Sequence, residues 1–358
     1  MRIIQILTTM SFGDAIGNDA IALKGAISDM GFQTDIYAEN IDKRLPNGTA
    51  QKIEKLRRVN RDDIILYHKS TGTDLTFKIG DYDCRRVMIY HNITPPEFFR
   101  PYSPTAAVLT EYGYEGVEYL RDKVEYVMAD SAYNKSELVK MGYKCPIDVR
   151  PILIRFKDYE QTPDENIMRI FGDGRQNLIF VGRIAPNKKQ ENVIRAFFCY
   201  KKLVPDARLI LVGSYLGMEN YYERLVRYAS ALGLGNDVIF TGHIKFSEIL
   251  AYYRTASAFV CMSEHEGFCV PLAEAMFFRV PIIAYDTSAI SDTLGGSGVL
   301  LDSNDPVFAA QVIHRVMTDE KLRSAVIEGQ TKRLADFSYE NIRDIFEKQL
   351  RNFIGKDR

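Results

Sequence analysis

Two carboxylates and two cations carry the chemistry this sequence offers. Glu266 and Glu274 have seven residues between them in the stretch Ser263-Glu264-His265-Glu266-Gly267-Phe268-Cys269-Val270-Pro271-Leu272-Ala273-Glu274-Ala275-Met276. Pro271 suits a first helical turn, where its missing N–H costs nothing. Glu266 then falls in the loop before that helix and Glu274 about one turn inside it. Two carboxylates at one helix entrance can accept bonds from several hydroxyls, and the free amides there face an anion or more hydroxyls. Such an arrangement suits a ligand with a sugar at one end and a ribose at the other. Arg183 and Lys188, in Gly182-Arg183-Ile184-Ala185-Pro186-Asn187-Lys188, lie where a strand passes through a loop into a helix. Two cations aimed at one point suit a diphosphate.

These groups need rigid elements behind them. An apolar run over 2–7 reads as a buried strand, followed by a glycine-bearing loop at 11–17. Asn18 is placed to cap a helix whose apolar face is Ile21, Leu23, Ala26, Ile27 and Met30. A strand at 33–37 completes a β-loop-α-β opening of the doubly wound kind. Further strands are expected at 63–67, 86–90 and 126–129, and a helix at 134–140. The pattern fades over 155–175, where a polar stretch with Pro163 and Gly172-Asp173-Gly174 reads as a domain connection. Alternation restarts after it. Strands are expected at 177–181, 208–212, 238–241, 258–262 and 281–285. The helices between and after them end with an amphipathic one at 339–354.

Length and composition fit this reading. The chain has 358 residues, 46% hydrophobic and 26% charged, enough for two domains with a core each. A formal net charge of −1 does not suggest a nucleic-acid partner. The five cysteines contain no C-x-x-C pair and are odd in number, which speaks against a disulfide framework or zinc site and for a reducing cytoplasm. The N-terminus lacks the pattern of a signal peptide, and no stretch of about 18 apolar residues occurs. A basic run at 51–61 reads as a solvated helix face. Contact of that run with an anionic membrane surface or a lipid diphosphate is the alternative.

On these residues the chain resembles family 4 of the retaining glycosyltransferases. Glu266 and Glu274 match that family's E-x7-E motif, and Arg183 and Lys188 its GR-x4-K phosphate clamp. Gly242-His243-Ile244 matches a loop lining the nucleotide base. Gly13 and Gly17 match the first glycine-rich loop, and His91 an N-domain strand-end histidine facing the donor sugar. The resemblance is strong over 177–300 and looser before 150. It implies an α/β chain of GT-B fold, two Rossmann-like domains facing each other across a cleft. Residues 1–165 would form the acceptor domain and 166–337 the nucleotide-sugar donor domain. The helix of 338–358 would cross back to the first.

The implied reaction is a metal-independent, configuration-retaining hexose transfer from a nucleoside-diphosphate sugar, with a lean to GDP-mannose over UDP-sugars. The implied acceptor is a saccharide or polyprenol-linked saccharide, in polysaccharide assembly at the inner face of a membrane. His91, Arg183, Lys188 and Glu266 would be catalytic. Gly13, Gly242, Ile244, Gly267, Phe268, Cys269, Val270 and Glu274 would bind the donor, with no metal and no cofactor beyond the nucleotide sugar. Cys269 and Arg279 stand where the family usually has glycine, and the N-terminal loop lacks the usual glycine pair. The rival readings are an epimerase of the same fold and a noncatalytic partner subunit. A dinucleotide oxidoreductase ranks last, because no G-x-G-x-x-G follows the first strand.

Overall fold

The computed structural model describes residues 1–355, so the last three residues of the expected 338–358 helix lie outside the described residues. The chain divides into two compact units. The first contains Met1–Pro96, Ala107–Arg155 and Asp336–Arg358, and the second Glu97–Ala106 and Phe156–Ala335.

The first unit is built on a seven-stranded sheet. Its strands are β1 (Arg2–Met10), β2 (Gln33–Ile41), β3 (Gln51–Lys52), β4 (Ile64–Lys69), β5 (Arg85–Tyr90), β6 (Tyr126–Ala129) and β7 (Ile147–Val149). They lie in the order β3-β2-β1-β4-β5-β6-β7, every pairing parallel. β4 is buried along its whole length, as a parallel strand covered on both faces must be. The helix Ala15–Asp29 begins four residues earlier than a cap at Asn18 would allow. Asp14 is the cap, accepting from the Gly17 amide at 3.2 Å. The basic run is not a helix. It forms β3, a 3-10 turn at Ile53–Lys55 and irregular chain, because Ile53, Leu56 and Val59 pack on the core at a spacing of three.

The second unit has a six-stranded parallel sheet. Its strands are β8 (Asn177–Val181), β9 (Arg208–Val212), β10 (Val238–Gly242), β11 (Ala258–Cys261), β12 (Ile282–Tyr285) and β13 (Val299–Leu301). Their order is β10-β9-β8-β11-β12-β13.

The units divide the chain differently from the expected 165/166 and 337/338 borders. The second unit starts at Phe156, because Phe156 stacks on Phe277 at 5.4 Å and Tyr159 packs against Phe246 at 5.3 Å. Inside the expected connection, Asp164 caps the short helix Glu165–Phe171. Residues 97–106 also belong to the second unit. There Tyr102 meets Tyr221 edge-on at 5.0 Å and its carbonyl accepts from Asn220 Nδ2 at 3.1 Å. The helix Tyr339–Gly355 belongs to the first unit. The Phe353 carbonyl accepts from Arg85, and the Arg85 guanidinium lies 3.9 Å from the Phe353 ring centre. Among the described residues, no helix is long and apolar enough to cross a membrane.

Candidate functional site

In the second sheet the chain order reverses between β8 and β11. Open parallel sheets hold ligands in the crevice outside the strand ends at such a reversal. Arg183 and Lys188 follow β8, and Glu266 follows β11. The two loops are tied together. The Glu264 amide donates to the Asn187 carbonyl at 2.9 Å, and Asn187 Nδ2 to the His265 carbonyl at 3.0 Å. Lys188 ends a 3-10 turn begun by Pro186, and its ammonium donates to the Glu266 carboxylate. Burial pulls the Lys188 pKa down, but the Glu266 charge outweighs it and holds the pKa above its ordinary value. The Glu266 amide in turn donates to Ser288 Oγ at 2.8 Å.

Arg183 is exposed and donates to the Leu216 carbonyl at 3.1 Å, in the loop after β9. That loop also reaches the end of β10. The Gly213 amide donates to Thr241 Oγ1 at 3.3 Å, and Tyr215 lies against Gly242. Gly213 must be glycine, since a Cβ there would stand 2.0 Å from the Gly182 carbonyl. Gly242 has φ 67° at a register shift that ends β10. Ile244 is half-buried two residues on. Arg183 and Gly242 are thus gathered around the 213–217 loop.

Glu274 sits in the helix Val270–Phe277 and accepts from two tyrosines, Tyr159 Oη at 2.6 Å and Tyr253 Oη at 2.7 Å. Burial raises its pKa, and the two hydroxyls oppose that shift. Neither partner is a cation, so the remaining lone pairs suit further hydroxyl donors. Before this helix, the Phe268 carbonyl accepts from Thr293 Oγ1, and Cys269 takes φ 70° to turn the chain into Val270. Gly267 is half-buried just upstream.

The first unit treats its expected residues differently. Gly13 has φ 72° with open space around it, and Gly17 lies inside the helix as the donor to its cap. The His91 ring does not face outward; its side chain is 1% exposed and both nitrogens are engaged. Nδ1 is 2.7 Å from Asp130 Oδ2, and Nε2 is 2.9 Å from His68 Nδ1. His68 is fully buried, with Nε2 3.0 Å from Gln5 Oε1. Gln5 Nε2 donates to the Ala20 carbonyl at 3.0 Å, so Oε1 must accept from His68 Nε2–H. His68 Nδ1 is then an acceptor, and His91 Nε2 carries a proton towards it. Burial disfavours charge on His91, but the Asp130 carboxylate outweighs it and raises its pKa. Burial drives that of His68 well down. His91 therefore joins a buried relay that ends in Arg150 and Asp19, whose two Nη–Oδ bonds are both 2.8 Å.

Sequence reasoning did not find Asp19, Asp130, Arg150, Tyr159, Tyr253, Asn187 or Ser288. Asp19 and Arg150 are 131 positions apart, and no local pattern pairs them. Asp130, directly after β6, had a strand-end position as a usable signal.

Residues 165–333 match the family model of the glycosyl transferases group 1. The D-inositol 3-phosphate glycosyltransferase of Acidothermus cellulolyticus is 30% identical over 173 residues, 46% of this chain and 38% of that protein. The chain thus spans well under half the length of this relative. The O-antigen chain mannosyltransferase B of Escherichia coli is 24% identical over 270 residues, 72% of this chain and 68% of that protein. Among solved structures, Anabaena HepE in complex with UDP-glucose aligns with a TM-score of 0.77 at 17% identity. That alignment covers 98% of this chain and 100% of the other. The chain has the GT-B fold, and the residues that match the glycosyl transferases group 1 model lie in its second unit.

Proposed function

We propose that the chain is a retaining, metal-independent glycosyltransferase of family 4. It moves a hexose from a nucleoside-diphosphate sugar to a saccharide or lipid-linked saccharide acceptor. The observation that carries this reading is the Lys188–Glu266 pair at the sheet's reversal point, with Arg183 on the same strand end. In this reading Arg183 and Lys188 bind the diphosphate and stabilise the charge that grows on it as the glycosidic bond breaks. They supply the positive charge that a divalent ion supplies elsewhere. Glu266 accepts bonds from sugar hydroxyls, and Glu274 from the ribose. Gly242 and Ile244 line the base, and Gly267, Phe268, Cys269 and Val270 shape the sugar pocket. The second unit takes the donor and the first the acceptor. No protein nucleophile is assigned, so the acceptor attacks on the face the leaving group departs from, through an oxocarbenium-like state. His91, with both nitrogens engaged, serves as a positioning residue of the first unit.

GDP-mannose is the preferred donor, supported by likeness to a mannosyltransferase, with UDP-sugars as the competing class. A thermal-shift panel of UDP, GDP, ADP and dTDP, with and without EDTA, tests the reading. The expected result is a selective rise with one nucleotide, indifferent to EDTA and lost in Arg183→Ala. No rise with any of them at millimolar concentration sinks the donor-site assignment.

A further inference from the structure

Cys261 ends β11, and Cys269 stands immediately before the helix Val270–Phe277. Both are buried free thiols. Their sulfurs and a carboxylate oxygen of Glu266 lie within 4.8 Å of one another. An ion bonded to sulfur at about 2.3 Å and to a carboxylate oxygen at about 2.1 Å holds its ligand atoms roughly 3.5 Å apart. Side-chain adjustment alone therefore closes this triangle on one ion.

The backbone makes the same point. Cys269 has φ 70°, a left-handed conformation that costs a side chain about 1–2 kcal/mol and costs glycine nothing. The residue held in this unfavourable place is a cysteine, its sulfur within 4.8 Å of the second cysteine's.

The other comparable cluster among the described residues is Asp19, His68 and His91. There Arg150 already holds Asp19 bidentately, and both rings are committed to Asp130 and Gln5. The Arg150 side chain is 0% exposed and has no way out. At the thiol cluster the resident cation is Lys188, 22% exposed on a flexible stem, which can swing to water.

We propose that Cys261, Cys269 and Glu266 form a binding site for a soft divalent cation of the zinc class. Binding deprotonates both thiols, releases two protons and displaces the Lys188 ammonium from Glu266. The fourth coordination position is open to water. On the function proposed above, such an ion takes Glu266 away from the donor and inhibits the enzyme.

The test uses the full chain, stripped of metal and reduced, with the reductant removed under anaerobic conditions before the titration. Cadmium is titrated in, and bound ion and sulfur-to-cadmium charge-transfer absorbance are followed. The expected result is a single equivalent with a thiolate band. Cys269→Gly removes the band and weakens binding by about tenfold or more, and Cys261→Ala does the same. Glycine suits the left-handed position, so Cys269→Gly keeps the fold, and Cys199→Ser leaves cadmium binding unchanged. No band in the wild type, or an undiminished band in Cys269→Gly, overturns the proposal. Nucleotide plays no part in this readout, so failure of the donor-site reading and failure of the cation site are told apart.

Discussion

The Lys188 ammonium rests on the Glu266 carboxylate, and this contact joins the loop after β8 to the loop after β11. Glu266 is 5% exposed, and Lys188 is the cation it rests against.

Lys188→Met leaves the Glu266 charge buried without its cation. Removing one partner of a fully buried pair costs about 3–5 kcal/mol, and the partial exposure of Lys188 brings the expected cost to roughly 1–3 kcal/mol. Glu266→Gln strands Lys188 in the same way. The double variant, measured by urea unfolding, is expected to fall short of the sum by about 1–2 kcal/mol. Turnover in Lys188→Met is expected to drop about 100-fold, the loss typical of a group that stabilises developing charge. Strictly additive unfolding energies would mean that the pair is not coupled.

Tyr159 and Tyr253 give Glu274 one hydroxyl per carboxylate oxygen and leave it lone pairs for a ligand. If those lone pairs hold a ribose, Glu274→Ala weakens a ribonucleoside diphosphate by about tenfold. It weakens the 2′,3′-dideoxy analogue hardly at all. Calorimetric titration of both ligands against both proteins reads this difference. Equal losses for the two ligands would move Glu274 from the ribose to a structural part.

These expectations came from segments whose chemistry is local. Strand, loop and helix follow one another around Arg183, Lys188, Glu266 and Glu274, so their periodicity and punctuation are visible in sequence. Cys269 and Arg279 stood out as departures from glycine, and their φ values of 70° and 57° give the physical reason glycine is favoured there. The helix Pro104–Leu120 was not legible. It buries Gly113 and Gly116 where an apolar stripe is expected, because the chain passes close to Gly72 and to Thr76 at those points. The sealed position of His91 was invisible for a different reason. Its partners His68 and Asp130 lie 23 and 39 residues away, and only the sheet brings them together.

That buried relay ends in a pair that tolerates little change. Asp19 and Arg150 are both 0% exposed, and Asp19 also accepts from the Leu153 amide at 2.8 Å. Arg150→Met removes the cation and leaves a buried carboxylate, at an expected cost of about 3–5 kcal/mol. Adding Asp19→Asn removes the stranded charge and is expected to restore a large part of that loss. Urea midpoints of the single and double variants decide it. A double variant as unstable as the single would show that packing of the Arg150 side chain, not charge balance, is what matters.

Lys69 poses the opposite electrostatic problem. It ends β4, fully buried, and its ammonium donates to the Thr71 carbonyl at 2.7 Å and to Thr76 Oγ1 at 3.2 Å, with no carboxylate among these partners. Burial lowers its pKa to about 7, against 10.5 for a free lysine. Between those values the folded chain binds fewer protons at this site than the unfolded chain. Stability therefore rises with pH through this window, by up to about 1.4 kcal/mol per unit, and the gain is complete once the unfolded lysine also loses its proton. Lys69→Met has no proton to lose. Unfolding free energies of the two proteins, followed from neutral to alkaline pH, are expected to converge as the wild type gains on the variant. A difference between them that stays constant with pH would place a charged Lys69 in the folded state and remove the argument.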